Sequence, residues 1–181
     1  MPSPEDNRPQ PLNGDFAGQD IINSSQLDNK SLDSLYHLSA QINSLLKRQT
    51  PPQFLERSLI LGLLPYSSFL DFEAFQSSAI KLGARTLTQT LPSTKDPGFE
   101  FKVLDIKSSL PDAMLISDQD GKLATSVSSA LRSTRVNIPL INSAIFNASE
   151  LEDDPEWVSH REMSNGDPIR MALWLLVTGN A

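Results

Sequence analysis

Residues 58–88, SLILGLLPYSSFLDFEAFQSSAIKLGARTLT, decide the fold class of this chain. The opening SLILGLL (58–64) is a short and almost entirely apolar run, which is typical of a parallel strand covered on both faces. The next segment has apolar side chains along one helical face and stops at Gly83, a residue type that commonly follows a helix. ARTLTQT (84–90) then predicts a second strand. The order strand, helix, strand indicates a parallel sheet with a right-handed crossover.

The same alternation continues on both sides of this stretch. The first helical pattern has Asp28 or Asn29 as its N-cap and basic residues in its last turn. The sequence therefore predicts an α/β fold: a single three-layer domain over residues 20–181, with a four-stranded parallel sheet and helices on both faces. The further patterns are helices at 28–49, 98–110 and 122–134 and strands at 112–117 and 137–144.

Two regions lack such a pattern. Residues 1–19 are rich in proline and polar residues and have little to bury, so we expect a disordered tail. Residues 147–166 are acidic and aperiodic, which predicts a solvated surface loop that can include a helical turn. A protein-docking loop that uses Trp157 is the alternative. DPIRMALWLLVTG (167–179) then predicts a closing helix with Asp167 as its N-cap.

The composition limits the classes of partner. The chain has 181 residues, a net charge of −7 and no cysteine. An acidic chain with few clustered basic residues is a poor candidate for nucleic-acid or anionic-membrane binding, so we expect proteins or small molecules as partners. Without cysteine the chain has neither disulfides nor thiolate metal ligands. The beginning of the sequence resembles neither a secretory nor a transit signal, and we expect a cytoplasmic protein.

Ligands of parallel α/β sheets bind beyond the carboxyl ends of the strands. In this sequence those ends are residues 65–69, 117–120 and 142–144. SDQDGK (117–122) contains two aspartates but lacks the other ligands of a calcium loop, so we expect a turn, no metal and no cofactor. The two histidines, His37 and His160, have no catalytic partners in the sequence and are predicted to be surface residues.

With these elements in place, residues 18–178 resemble the N-terminal, carbamoyl-phosphate-binding domain of the aspartate and ornithine carbamoyltransferases. The resemblance is carried by four stretches in order: SSQLDNKSLDSLYHLSAQI, the segment 58–88 quoted above, LPDAMLIS with VNIPLINSA, and NGDPIRMALWLL. In the family, a Ser-Thr-Arg-Thr-Arg turn at the start of a helix binds the phosphate. Such a turn offers backbone N–H groups and guanidinium groups to an anion.

The resemblance also implies that the family's cationic ligands are missing here. Residues 65–69 stand at the Ser-Thr-Arg-Thr-Arg turn and contain no arginine. Ser117 aligns with the family's arginine at the end of a strand. Asp167 aligns with the histidine of the family's His-Pro-x-x-Gln motif, and Arg170 aligns with the glutamine of that motif. Ser67, Ser68, Ser117, Asp167 and Arg170 are therefore the candidate residues of a residual anion site. Their alternative roles are helix capping for the two serines and Asp167, and an ion pair for Arg170.

Three functions follow from this reading. The first is a catalytically degenerate carbamoyltransferase-like protein that acts as a non-catalytic binding, assembly or regulatory subunit, with a carbamoyltransferase or further copies of itself in a trimer as partner. The second is a carbamoyltransferase of pyrimidine or arginine metabolism that is completed by a second chain. The third is a sensor of a small anion or metabolite.

Overall fold

Four parallel strands form the sheet that the sequence predicts. The strands are β1 Leu59–Leu64, β2 Arg85–Thr90, β3 Ala113–Ile116 and β4 Leu140–Asn142. Their order is β2-β1-β3-β4, and every pairing is parallel. The computed structural model describes residues 11–48, 53–64, 70–91, 99, 105, 106, 108–133 and 137–181. The nearly all-apolar β1 is central, because β2 pairs with one of its edges and β3 with the other.

Helices cover both faces of this sheet, as predicted. α1 Asn29–Lys47 and α2 Leu70–Lys81 lie on one face, and α3 Lys122–Ser133 lies on the other. Short helices follow β4: 3-10 turns at Ser143–Asn147 and Met163–Gly166, and helices α4 Ser149–Glu152 and α5 Pro155–Glu162. α6 Asp167–Thr178 closes the chain. Of the predicted helix at 98–110, only Phe99, Asp105, Ile106 and residues 108–110 lie within the described residues.

The helix ends follow local sequence signals. The Asp28 carboxylate accepts a hydrogen bond from the Ser31 backbone N–H at 2.9 Å, which makes Asp28 the N-cap of α1. Gly83 adopts φ +91° after α2, a conformation that strains a residue with a side chain. Both boundaries agree with the sequence prediction.

Two apolar cores lie on opposite faces of the sheet. Phe72, Phe75 and Ala79 of the predicted α2 face are buried against Trp174 of α6. The Trp174 indole N–H donates to the Phe75 carbonyl at 2.9 Å and joins the two helices. On the other face Val127 and Leu131 of α3 pack on β1 and β3. Because the side chains of β1 are buried on both faces of the sheet, apolar and polar residues do not alternate along this strand.

Residues 11–19 differ from the expected disordered tail. Leu12 and Phe16 are buried in the core on the α1 side. Further along, the Ile21 N–H donates to the Leu140 carbonyl at 2.7 Å, and the Asn142 N–H donates to the Ile21 carbonyl at 2.8 Å. These bonds cover the outer edge of β4. Widely spaced apolar residues in a proline-rich segment therefore supply enough burial to order it.

Residues 147–166 also differ from the predicted surface loop, because they form α4, α5 and a 3-10 turn. The Asp154 carboxylate accepts from the Glu156 N–H at 2.9 Å, and Pro155 occupies the first position of α5. Trp157 is fully buried and packs against Phe146, with ring centroids 5.5 Å apart. Its indole is therefore not exposed for docking to a protein.

Within the described residues, no helix has the length and apolar character needed to cross a membrane.

Candidate functional site

A polar crevice of about 470 Å³ lies at the carboxyl ends of β3 and β4. Ser117, which follows β3, and Asn142, the last residue of β4, form part of its wall, as the position of the strand ends predicts. Three further elements complete the wall of the crevice: the start of α2, the segment that precedes α1, and helix α4. The other lining residues are Ile22, Asn23, Ser24, Asp71, Gln119, Asp120, Gly121, Thr125, Ala144, Ile145, Asn147, Ala148, Ser149 and Glu150.

Asn142 fixes the shape of this wall. Its side-chain amide donates to the Ile22 carbonyl at 2.9 Å and to the Asp118 carbonyl at 2.7 Å. Its side-chain oxygen accepts from the Asp118 N–H at 3.0 Å. One buried amide thus joins the end of β3, the end of β4 and the N-terminal segment, and the crevice is bounded by hydrogen-bonded backbone.

The SDQDGK segment is a turn that starts α3, as predicted. The Asp118 carboxylate accepts from the Ala124 N–H at 3.0 Å, and Asp120 pairs with Lys122 at 2.7 Å. Burial raises the pKa of Asp118 above its ordinary value, although the hydrogen bond from Ala124 opposes this rise. No group of three or more histidine, aspartate or glutamate side chains suited to a metal ion occurs among the described residues.

The described lining of the crevice is acidic. Asp71, Asp120 and Glu150 contribute carboxylates, and no lysine or arginine is among the described lining residues. Burial raises the pKa of Asp71, while the charge of Arg170 and a hydrogen bond from Asn147 oppose this rise. A phosphate in this crevice would face carboxylates that repel it.

Arg170 is not among the described lining residues of the crevice. Its guanidinium carbon is 4.0 Å from the centroid of the Phe146 ring, and Nη1 donates to the Asn165 carbonyl at 2.7 Å. The side chain is buried, and its Nε has no hydrogen-bond partner among the described residues. Burial lowers the pKa of Arg170, and the negative charges of Asp167 and Asp71 oppose this. The expected ion pair with Asp167 or the acidic segment is replaced by a cation–π contact and a backbone carbonyl.

Asp167 is not the N-cap that the sequence predicts. Gly166, with φ +73°, holds the cap position of α6, and Asp167 is the first residue of the helix. The Asp167 carboxylate pairs with the Lys81 ammonium at the end of α2. A glycine in the left-handed conformation directly before Asp167 moves the helix boundary by one residue.

The candidate residues are therefore dispersed. Ser117 lies in the crevice, Asp167 and Arg170 are absent from its described lining, and Ser67 and Ser68 lie outside the described residues. Sequence reasoning missed Asp71 and Glu150, which reach the crevice from α2 and α4. For Glu150, the sequence Asp154-Pro155 is a helix-start signal that indicates a structured segment nearby.

His160 is buried, which corrects the prediction of a surface residue. Its ring stacks on Tyr36, with centroids 4.9 Å apart, and its Nδ1 lies 3.0 Å from the Ser39 hydroxyl. The Tyr36 hydroxyl donates to the Asp154 carboxylate at 2.7 Å, so this cluster joins α1 to α5. His37 is exposed, as predicted.

No family model matches the sequence, and no curated protein sequence is similar enough to match it.

Solved structures do match the fold. The catalytic subunit of aspartate transcarbamoylase from M. jannaschii aligns with a TM-score of 0.58 at 14% identity, over 81% of this chain and 48% of that one. Ornithine carbamoyltransferase from Pyrococcus furiosus aligns with a TM-score of 0.56 at 14% identity, over 71% of this chain and 40% of that enzyme. A putative aspartate carbamoyltransferase from Trypanosoma cruzi aligns with a TM-score of 0.55 at 18% identity, over 74% of this chain and 42% of that protein.

This chain thus spans less than half the length of the matched structures. At such identities the similarity concerns the fold. The four sequence stretches, in their order, predict a similarity to the carbamoyltransferases. The structural matches confirm this similarity for the fold. The chain has the fold of one domain of the aspartate and ornithine carbamoyltransferases.

Proposed function

We propose that this protein acts by binding, as a non-catalytic assembly or regulatory subunit with a carbamoyltransferase-like fold. One observation carries the proposal: the crevice at the strand ends presents carboxylates instead of cations in its described lining. Carbamoyl phosphate is an anion, and two unit charges about 4 Å apart interact by roughly 4 kcal/mol at an effective dielectric constant of about 20. Repulsion of this order opposes binding of the substrate that the fold relatives are named for.

The two candidate residues at the start of α6 support the same conclusion. Arg170 is buried against Phe146 and bound to a backbone carbonyl, and Asp167 pairs with Lys81. Neither side chain extends into the described lining of the crevice. A residual anion site would therefore depend on Ser67, Ser68 and Ser117, which supply hydroxyl groups without charge.

Partner binding is the role that we infer from a retained fold whose crevice has no lysine or arginine in its described lining. Matched structures are named as catalytic subunits, which suits a subunit role for a related fold. We expect the partner to be a carbamoyltransferase or further copies of this chain, and we expect the complex to be cytoplasmic. A carbamoyltransferase completed by a second chain is the alternative, because this chain spans less than half of the matched enzymes.

Calorimetric titration with carbamoyl phosphate at low salt tests the proposal, with inorganic phosphate as control and light scattering for the mass. We expect no heat at millimolar ligand and a mass of more than one 19.9-kDa chain. A dissociation constant below about 100 μM, or roughly −5.5 kcal/mol, would overturn the non-catalytic role. In that case Arg170→Gln, compared with the wild type, shows whether Arg170 contributes to the site. A monomeric mass would exclude self-association and leave a different protein as partner.

A further inference from the structure

The two outer edges of the sheet differ. β4 forms one edge, and the backbone of Ile21 covers it through its hydrogen bonds with Leu140 and Asn142. β2 forms the other edge, and no segment of the described part of the chain pairs with its outer side. An open edge of six residues is a template on which a further strand can pair.

The ladder between β1 and β2 shows which backbone groups face this open edge. The Arg85 N–H donates to the Ser58 carbonyl at 2.9 Å, so residue 85 directs its backbone groups toward β1. Because this direction alternates along a strand, the N–H and C=O groups of Thr86 and Thr88 point outward. Two donors and two acceptors in the middle of β2 are therefore available to a partner strand.

β2 lacks several of the features by which natural proteins protect an open edge. Its sequence, RTLTQT, contains no proline and no lysine, and its register with β1 is continuous, without a bulge. Its single charged residue, Arg85, is at the first position. Leu87, in the middle of the strand, is 44% exposed. The strand is thus flat, uncharged at its centre and partly apolar, which favours pairing.

A second copy of this chain has the groups that the edge requires. In an antiparallel two-fold pair centred on Leu87, Thr86 of one copy is opposite Thr88 of the other. Their outward N–H and C=O groups then form hydrogen bonds in both directions. The exposed Leu87 side chains meet across the axis. Arg85 is opposite Gln89 rather than a second arginine, so no like charges face each other.

Helix α2 is compatible with the same alignment. The Gln76 amide donates to the Thr88 hydroxyl at 2.9 Å, so Glu73 and Ile80, one turn away on either side, lie near the open edge. Both are exposed. The two-fold pair places the α2 helices of the two copies antiparallel on one face of the sheet. Glu73 in the first turn of one helix then approaches the last turn of the other, which contains Lys81.

We propose that two copies of this chain pair through β2, antiparallel and centred on Leu87, so that the four strands of each copy join in one continuous sheet. This inference rests on the proposed binding role and specifies the surface through which further copies associate. The pairing is closed, because each copy uses its one open edge among the described strands. The product is therefore a dimer.

Sedimentation velocity of the full chain tests the proposal. We expect a mass of twice 19.9 kDa at a chain concentration of about 100 μM. A monomer would overturn the pairing and leave a different protein as partner. A trimer would also overturn it, although self-association under the proposed function would stand. Binding of carbamoyl phosphate by the dimer would contradict the non-catalytic role alone and support the pairing.

Substitutions at Thr88 test the backbone contact. Thr88→Pro removes an outward N–H that β1 does not use, and it should weaken the dimer by at least about tenfold. Thr88→Val is the matched control, because it also removes the hydroxyl that accepts from Gln76 but retains the N–H. This variant should remain a dimer. Equal masses of the two variants across a dilution series would overturn the pairing through β2.

A single cysteine tests the alignment without removing a backbone donor. The chain has no cysteine. Facing residues of a non-hydrogen-bonded antiparallel pair have Cα atoms about 4.5 Å apart, which a disulfide can span. Leu87→Cys should therefore be oxidised by copper phenanthroline to a covalent dimer about tenfold faster than Leu110→Cys. Leu110 is the control because it is 76% exposed and precedes β3. Equal rates would overturn the alignment on Leu87.

Discussion

Arg170 illustrates how far the identity of one residue determines its role. A basic residue two positions after Pro168 suggests either a replacement ligand for phosphate or an ion-pair partner of Asp167. In the structure the guanidinium packs over Phe146, and Gly166 provides the space for it: a methyl group at Gly166 would lie 3.0 Å from Arg170 Nη1. Neighbours that are distant in sequence, such as Phe146 and Phe75, thus decide that this cation is buried.

His160 leads to a prediction about pH at the same scale. Burial lowers its pKa below 6.5, while the charge of Glu156 opposes this. The unfolded chain therefore takes up a proton at a higher pH than the folded chain, and stability is lost as the pH falls below about 6.5. Urea unfolding from about pH 7 to about pH 5 should show a steeper loss for the wild type than for His160→Gln.

His37→Gln is the control for this experiment, because it removes the other, exposed histidine. It should retain the pH dependence of the wild type. If His160→Gln and the wild type lose stability in parallel, protonation of the buried imidazole does not limit the acid stability of the α1–α5 contact.

At the scale of elements, the packing of β1 against α2 depends on a missing side chain. Gly62 is in the middle of β1, and a methyl group there would lie 2.5 Å from the ζ carbon of Phe72. Phe72 is buried beneath the strand. The glycine therefore allows the helix to approach the central strand closely, at the cost of the flexibility that glycine adds to a strand.

Gly62→Ala should destabilise the chain by about 1–3 kcal/mol, because the added methyl group forces the Phe72 ring and α2 away from the sheet. Urea unfolding at neutral pH measures this change. Phe72→Leu removes the clashing ring atom, so in the double variant part of the loss due to Gly62→Ala should be recovered. A Gly62→Ala chain as stable as the wild type would contradict the close approach.

For the whole molecule, Asp20 connects parts of the chain that are more than 100 residues apart. Its buried carboxylate accepts from the Ser128 hydroxyl, from the Arg132 guanidinium at 3.0 Å and from the Leu140 N–H at 2.9 Å. These bonds attach the N-terminal segment to α3 and β4. The segment from Leu12 to Ile22 is thus an integral part of the domain and also contributes to the wall of the crevice.

Asp20→Ala should lower the free energy of unfolding by about 2–3 kcal/mol, because buried donors at Leu140 and Ser128 lose their acceptor. Arg132 contributes less, since its side chain is 56% exposed. Asp15→Ala, at an exposed position of the same segment, is the matched control and should change stability by less than about 0.5 kcal/mol. Equal effects of the two changes would show that Asp20 does not anchor the segment.

The sequence by itself determined the fold class and the four strands of the parallel sheet in their chain order. Hydrophobic period, caps and turns are properties of neighbouring residues, so β1, α2 and the cap at Asp28 could be predicted from short windows. The sequence likewise shows directly that residues 65–69 contain no arginine. Spacing alone reaches only a four-stranded parallel α/β domain. The resemblance to one carbamoyltransferase domain rests on four sequence stretches in order, and the structural matches confirm it as a fold.

Only the tertiary structure decided which side chains meet. The burial of His160, the contact of Arg170 with Phe146 and the convergence of Asp71 and Glu150 at one crevice all join residues from separate elements. Such proximity depends on strand register and helix packing, which no short window of sequence contains. For the same reason Leu12, in a proline-rich segment with no period of its own, is buried: the surface that covers it is built from distant parts of the chain.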